Sequence, residues 1–220
     1  MATHPNLKVD LDDTDLFSAY KKVDADHTQG YEILDDLDQE IRDILVQKAA
    51  NAAEPSWWKW IVRGRKFEKE TVLPLLKDRT SDAYNQLKNK VQTTFGANLD
   101  EYDMYSQVQF KYDPSDPSKY FVADQVYVKW GENANGQIIV QDIVVVENKL
   151  QEATKLTTHQ NGGKAAGGLS VRSVNIQKAE GNLNPTNRAL PQNTPISINN
   201  KWIKIFDSET GEVISDMKKI

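Results

Sequence analysis

Two long β-forming runs flank a single turn signal, and that pairing restricts the folds open to this 220-residue chain more than any other feature. Residues 120–130, YFVADQVYVKW, and residues 137–150, QIIVQDIVVVENKL, are rich in β-branched and aromatic side chains, the types that suit a pleated, half-buried surface. Between them stands ENANGQ. Its Asn135-Gly136 is the strongest short hairpin signal, a two-residue type I′ turn in which both positions need φ > 0. Such a turn pairs Ala134 with Gln137 and, counted outward, sets Asp124 opposite Glu147. Lys149 follows two residues on, opposite Val122 and on the face of Glu147; Asp142 falls on the other face. The facing pair would have Cβ atoms roughly 4.5–5.5 Å apart.

Seven of the ten residues from Ile138 to Glu147 are aliphatic, so a carboxylate and an ammonium close an otherwise apolar strand. Two carboxylates facing each other at ~5 Å repel by about 3 kcal/mol at an effective dielectric near 20. A shared proton or a shared cation relieves that repulsion. A hard divalent ion such as Mg²⁺ suits oxygen-only ligands, and a lysine beside it would face a bound anion or an attacking water. This is chemistry suited to cleaving a phosphodiester. Glu-x-Lys alone is a weak signal, equally a salt-bridged strand end. A second copy of the pattern, Asp216-Met217-Lys218, has neither a long strand nor a facing acid.

Composition removes other chemistries. The chain has no cysteine, which excludes thiolate nucleophiles, disulfides and cysteine-based metal sites. Its three histidines, His4, His27 and His159, show no ligand spacing, which speaks against a zinc hydrolase. No apolar run is long enough for a transmembrane helix, and MATHPNLKVDLDDTD lacks the basic and apolar regions of a secretory signal. The net charge of −5 is uneven. Residues 1–54 carry 13 acids and 5 bases, whereas residues 149–205 carry 8 Lys and Arg against Glu152 and Glu180. A basic back half is the side expected to face an anion, with Lys164, Arg172 and Lys178 as phosphate-contact candidates, although a solvated surface would show the same charges.

Along the chain, residues 31–53 repeat apolar positions at Ile33, Leu34, Leu37, Ile41, Ile44 and Leu45, a helical stripe with an acidic outer face. Pro55 and Ser56 open a second helical stretch, 55–76, whose Trp57, Trp58 and Trp60 are expected to pack helices together. Within it Glu68 heads a stripe with Val72 and Leu75. Residues 82–95 form a helix with Tyr84, Leu87, Val91 and Phe95 on one side, Ser81 as cap and Gly96 as stop. Strands follow at 106–113 and in the hairpin, then a Gly-rich helix within 157–169, a strand at 169–177, a polar loop at 178–195 and a strand at 196–206. The expected fold class is α/β (α+β), a mixed central sheet with a long β-hairpin flanked by helices over residues 55–220, behind an acidic helical extension, 1–54.

Asp124 followed across a hairpin by Glu147-Asn148-Lys149 resembles the core of the restriction-endonuclease-like, PD-(D/E)xK, nuclease superfamily. The continuation ENKLQEATKLTTHQ is similar to the nuclease domains of bacterial polymorphic toxins, in which a Leu-Thr-x-x-Gln helix start, here Leu156 to Gln160, follows the lysine strand. The GRKFEKE segment resembles the family's first helix, whose glutamate, here Glu68, projects to the site. The resemblance covers about residues 60–175, and Ala123 stands where the superfamily name has proline. It implies a restriction-endonuclease-like core and Mg²⁺- or Mn²⁺-dependent cleavage of nucleic acid, DNA before RNA. Asp124 and Glu147 would hold the metal, supported by Glu68; Lys149 would assist the nucleophile, and Gln160 would orient the site. A toxin or effector delivered into a target cell without a classical signal peptide is implied as well, with an immunity protein or delivery machinery as partner. The competing expectations are a tRNA-cleaving toxin with the same residues, a non-catalytic nucleic-acid-binding module and a structural adaptor.

Overall fold

In a computed structural model of the chain, the residues described are 63–176, 186, 188–197, 201–207 and 213–220. The acidic helix 31–53, the tryptophan cluster and Lys178 lie outside them.

The unit is mixed α/β. A helical segment has a π-helical stretch, Phe67–Val72, and continues into α1 (Leu73–Lys77); Leu73 N donates to Glu68 O, five residues back, just before Pro74, which has no N–H to donate. Helix α2 (Asp82–Phe95) begins at Ser81, whose Oγ accepts a bond from Tyr84 N at 3.0 Å, and ends at Gly96 with φ +69°. Both caps are where the sequence put them. After a 3₁₀ turn, Leu99–Glu101, come β1 (Asp103–Lys111), β2 (Tyr120–Glu132) and β3 (Ile138–Lys149), then α3 (Thr158–Ala165), β4 (Leu169–Ile176), β5 (Pro195–Ile196), β6 (Trp202–Phe206) and β7 (Asp216–Lys219). The strands form one seven-stranded sheet in the order β5-β4-β1-β2-β3-β6-β7. Only β3 and β6 run parallel among these neighbours.

Two apolar clusters lie on the sheet. One joins Phe67, Leu76, Tyr84, Leu87 and Val91 of the helices to Tyr127, Val144, Val146 and Ile203. The other holds Phe110, Phe121, Val126, Ile143, Val145 and Trp202, with Leu190 from the connection before β5. The strand expected over 196–206 is in fact two: Ile196 pairs with Leu169 on β4, whereas β6 lies beside β3. The run contains Asn199-Asn200, poor strand formers. The C-terminal segment adds β7 at the sheet edge.

The hairpin keeps the expected register by a different route. The turn is a three-residue loop rather than the two-residue type I′ turn. Asn133 N donates to Gln137 O at 2.9 Å, Gly136 N donates to Asn133 O at 2.9 Å, and only Gly136, at φ +72°, is left-handed there. Asn133 Oδ1 accepts from Asn135 N and Gln137 N at 2.9 and 3.0 Å, which favours this wider loop. The loop displaces the pairing by one residue, so that Trp130 faces Val140. A bulge then places Gln141 as an extra residue, and from Lys129–Asp142 to Gln125–Val146 the register is the one that sets Asp124 opposite Glu147. Asp142, on the other face as expected, is buried and accepts bonds from Tyr102 OH at 2.5 Å and Ile143 N at 2.9 Å, with Lys201 as ion partner.

Beyond Gln125 the hairpin opens. Residues 120–123 of β2 pair with β1 and have no partner on β3, while residues 147–149 of β3 pair with β6. Both β1 and β2 break their alternation at this level. Tyr105 shares a cluster with Val108 and Phe110, and Ala123 shares it with Val126, although a regular strand would send residues three apart to opposite faces. Gln107, between the two β1 groups, has φ +53°, a left-handed conformation unusual for a residue with a side chain.

Candidate active site

The parting of β2 from β3 leaves Asn148 N without a strand partner on the β2 side. Asp124 supplies one: its Oδ2 accepts from Asn148 N at 2.6 Å. The same parting leaves Gln125 Nε2 and Asn148 Oδ1 buried without hydrogen bonds, even though Asn148 Nδ2 donates to Gln125 Oε1 at 3.0 Å. Burial pushes the Asp124 carboxyl above its usual range; the Lys149 charge, the Asn148 N–H and a hydrogen bond with the Glu147 side chain oppose that rise. Asp124, half-buried, and Glu147, fully buried, are thus neighbouring carboxyls.

Glu147 has no exposed surface. Its Oε2 accepts from Gln160 Nε2 at 2.5 Å and lies 3.8 Å from Lys149 Nζ. Lys149 in turn donates to Gln160 Oε1 at 3.2 Å. One amide therefore fixes both charged side chains, bonding the carboxylate through its nitrogen and the ammonium through its oxygen.

The local sequence explains how Gln160 reaches them. Thr157 is the N-cap of α3, its Oγ1 accepting from Gln160 N at 3.0 Å, while Gln160 Oε1 accepts from Thr157 N at 3.0 Å. This is a capping box, and it holds the Gln160 side chain turned back over the helix start. The Thr-x-x-Gln pattern in residues 157–160 is thus a helix cap and a link to the strand charges at once. The glycines of α3 have a packing cause. A Cβ on Gly163 would lie 2.2 Å from Phe121 Cε1, and one on Gly162 2.8 Å from Tyr112 Cε2. The helix is glycine-rich because it lies against two aromatic rings, one of them on the diverging end of β2.

Glu68 reaches toward the site from the π-helical stretch. Its Oε1 accepts from Gln107 Nε2, and Gln107 occupies the β1 position level with Asp124, between the pairs Ser106–Gln125 and Val108–Ala123. Glu68 therefore approaches the site through one intervening amide. Among the described residues, no group of three or more His, Asp or Glu side chains is arranged to hold a metal ion. The oxygen donors that do converge are those of Asp124 and Glu147. This pair fits a hard cation in charge and donor type, with the remaining positions left to water or substrate oxygens.

The expected phosphate contacts divide. Arg172 donates to Gln109 Oε1 at 3.0 Å and stacks over the Tyr120 ring at 3.8 Å, so it serves the β4–β1–β2 region. Lys164 lies in the last turn of α3, half-buried. His159 is bonded through Nδ1 to Tyr112 OH at 2.8 Å. Sequence reasoning missed Asn148, Gln107 and, above all, Lys204. Lys204 pairs with Glu147 across the β3–β6 ladder and is only 6% exposed. It had the same signal as Glu147, a lone charge inside the apolar run WIKIF. No family model, curated protein or solved structure matches the chain.

Proposed function

We propose that the chain is a metal-dependent endonuclease with a restriction-endonuclease-like core, acting on DNA as a bacterial toxin or effector domain. The observation that carries this reading is the buried Glu147–Gln160–Lys149 link beside Asp124, where β2 and β3 part. An isolated strand-end ion pair would need neither the second carboxyl nor a capping glutamine committed to both charges. Asp124 and Glu147 would hold Mg²⁺ or Mn²⁺, which when bound would polarise a phosphate oxygen and acidify a water.

The chain's own groups have separable roles. Asp124 and Glu147 supply negative charge in a place where burial makes that charge costly, so a cation is favoured over two free carboxylates. Lys149 donates one N–H to Gln160 and keeps others for a phosphate oxygen or an attacking water. Gln160 positions Lys149 and Glu147 without needing to touch the substrate. Glu68 and Gln107 buttress the Asp124 side of the site.

The test is cleavage of supercoiled plasmid, and in parallel of tRNA, by purified full-length protein in Mg²⁺, Mn²⁺ or EDTA. Plasmid nicking is expected with either metal and none with EDTA. Glu147→Gln and Lys149→Met should each lower the rate by about 10²-fold or more. Gln160→Leu, acting through its neighbours, should lower it by roughly 10–100-fold. A wild-type protein that cleaves neither substrate with any divalent metal sinks the enzyme reading. Cleavage of tRNA alone replaces DNA by RNA. The effector role further predicts toxicity on expression inside a bacterial cell, lost with Glu147→Gln.

A further inference from the structure

A second group of charges extends from the site across the sheet. Glu147 pairs with Lys204 on β6, and Lys204 pairs with Lys218 on β7. Cross-strand partners lie on one face, so Lys204 and Lys218 share the face of Glu147 and Lys149. The Phe206 ring is near both, its centroid 6.0 Å from Lys204 Nζ and 5.8 Å from Lys218 Nζ. Among the described residues, no carboxylate is in salt-bridge contact with Lys204. Its ammonium donates to the carbonyl oxygens of Glu152 at 2.5 Å and Thr154 at 3.1 Å. Burial, followed by the charges of Lys218 and Lys149, holds its pKa below the usual lysine range. A largely buried lysine whose ammonium bonds only neutral oxygens, with Glu147 opposite it on the ladder and two more ammoniums nearby, has room in its charge balance for a further anion. Among the described residues, the carboxylate of Glu152 is bonded to Lys218 at 2.5 Å and is itself largely exposed. A surface pair of that kind contributes little and is readily exchanged.

Resting on the nuclease reading above, we propose that Lys204 and Lys218 continue the row begun by Lys149 as a track for the phosphate backbone, leading the nucleic-acid strand from the cleavage position over β6 to the β7 edge of the sheet. The phosphates neighbouring the scissile one would replace Glu152 on Lys218 and complete Lys204. Lys219 provides an internal control. It is the next residue on β7, yet its Nζ lies 5.4 Å from the centroid of the Phe95 ring on α2, on the opposite face.

The experiment measures cleavage kinetics and the salt dependence of binding for a short fluorescein-labelled DNA duplex, using the full chain with Lys218→Gln, Lys218→Arg, Lys204→Gln or Lys219→Gln. Lys218→Gln is expected to raise KM several-fold with kcat unchanged, the pattern of lost uniform binding. It should also reduce the slope of log K against log salt by about 0.9, one phosphate contact. Lys218→Arg should restore both, Lys204→Gln should behave like Lys218→Gln, and Lys219→Gln should leave both at wild-type values. Circular dichroism and melting curves of each variant separate misfolding from lost contact, with the exposed Lys218 carrying the decision if Lys204→Gln fails to fold. If cleavage is intact but Lys218→Gln matches wild type, or Lys219→Gln gives an equal effect, the track is wrong and the nuclease reading stands. If wild-type protein neither binds nor cleaves nucleic acid, both fail.

Discussion

Glu147 and Asp124 were legible because a strand has a period of two and an acid inside a run of valines breaks its composition. Lys204 was legible by the same rule, but WIKIF is a short run and no turn signal tied it to the hairpin. Gln107, Gln125 and Asn148 carried no such mark: neutral amides are common on surfaces, and their roles arise only once β2 and β3 separate. Gln160 was found by resemblance, and its physical role, one amide serving a cap and two charges, became visible only in the bonds it makes. Asp124 leads to a prediction in solution. Burial raises its pKa from the usual 3.8. Between that value and the raised one the folded state binds more protons than the unfolded state, so the contribution is complete below the usual value and is lost as pH rises through the raised one. Urea melts in EDTA should show stability falling with pH across this acidic window, and Asp124→Asn should remove that component. An unchanged pH profile in Asp124→Asn would show that the carboxyl is not held in its protonated form.

At the scale of elements, the caps of α2 followed from local chemistry and the start of α3 from resemblance, while the hairpin tip followed from neither. The Asn135-Gly136 signal was overridden by Asn133, whose side chain occupies two backbone N–H groups and widens the loop. The resulting slip of one residue is cancelled by the bulge at Gln141, a feature without a sequence signature. The register that carries Asp124 toward Glu147, although the ladder itself stops at Gln125–Val146, therefore rests on two irregularities that compensate. Helix α3 permits a sharper test. Gly163→Ala puts a methyl group against Phe121 and should cost about 1–3 kcal/mol as overpacking, with a fall in cleavage because the same helix carries Gln160. Gly167→Ala meets open space and should change stability by no more than about 0.5 kcal/mol. Thermal melts of the two variants decide it: equal losses at Gly163 and at Gly167, two residues past the helix end, would mean that contact with Phe121 does not constrain Gly163.

For the molecule as a whole, the count of charges in residues 149–205 does not say which of the bases gather together. Arg172 and Lys201 are engaged with Gln109 and Asp142, whereas Lys149, Lys204 and Lys218 gather on one side of the sheet. Gathering them required knowing that β6 returns parallel to β3, a long-range choice that periodicity does not encode. If the two carboxyls hold a divalent ion, the ion stabilises the entire fold by mass action. At a hundred times its dissociation constant, Mg²⁺ should contribute about 2.7 kcal/mol and raise Tm by roughly 5–10 °C. Glu147→Gln should abolish the rise, and a metal-independent Tm in the wild type would argue against the shared cation. The divergence of β2 from β3 also has a mechanical consequence. The hairpin is shaped like a Y, with its stem toward the loop at Gly136 and its two arms tied to different neighbours, β1 for one and β6 for the other. Asp124 sits in the crotch, its backbone on one arm and its carboxylate bonded to Asn148 N on the other. A force that spreads the arms is therefore borne first by that bond, as load on a splitting log concentrates at the tip of the crack.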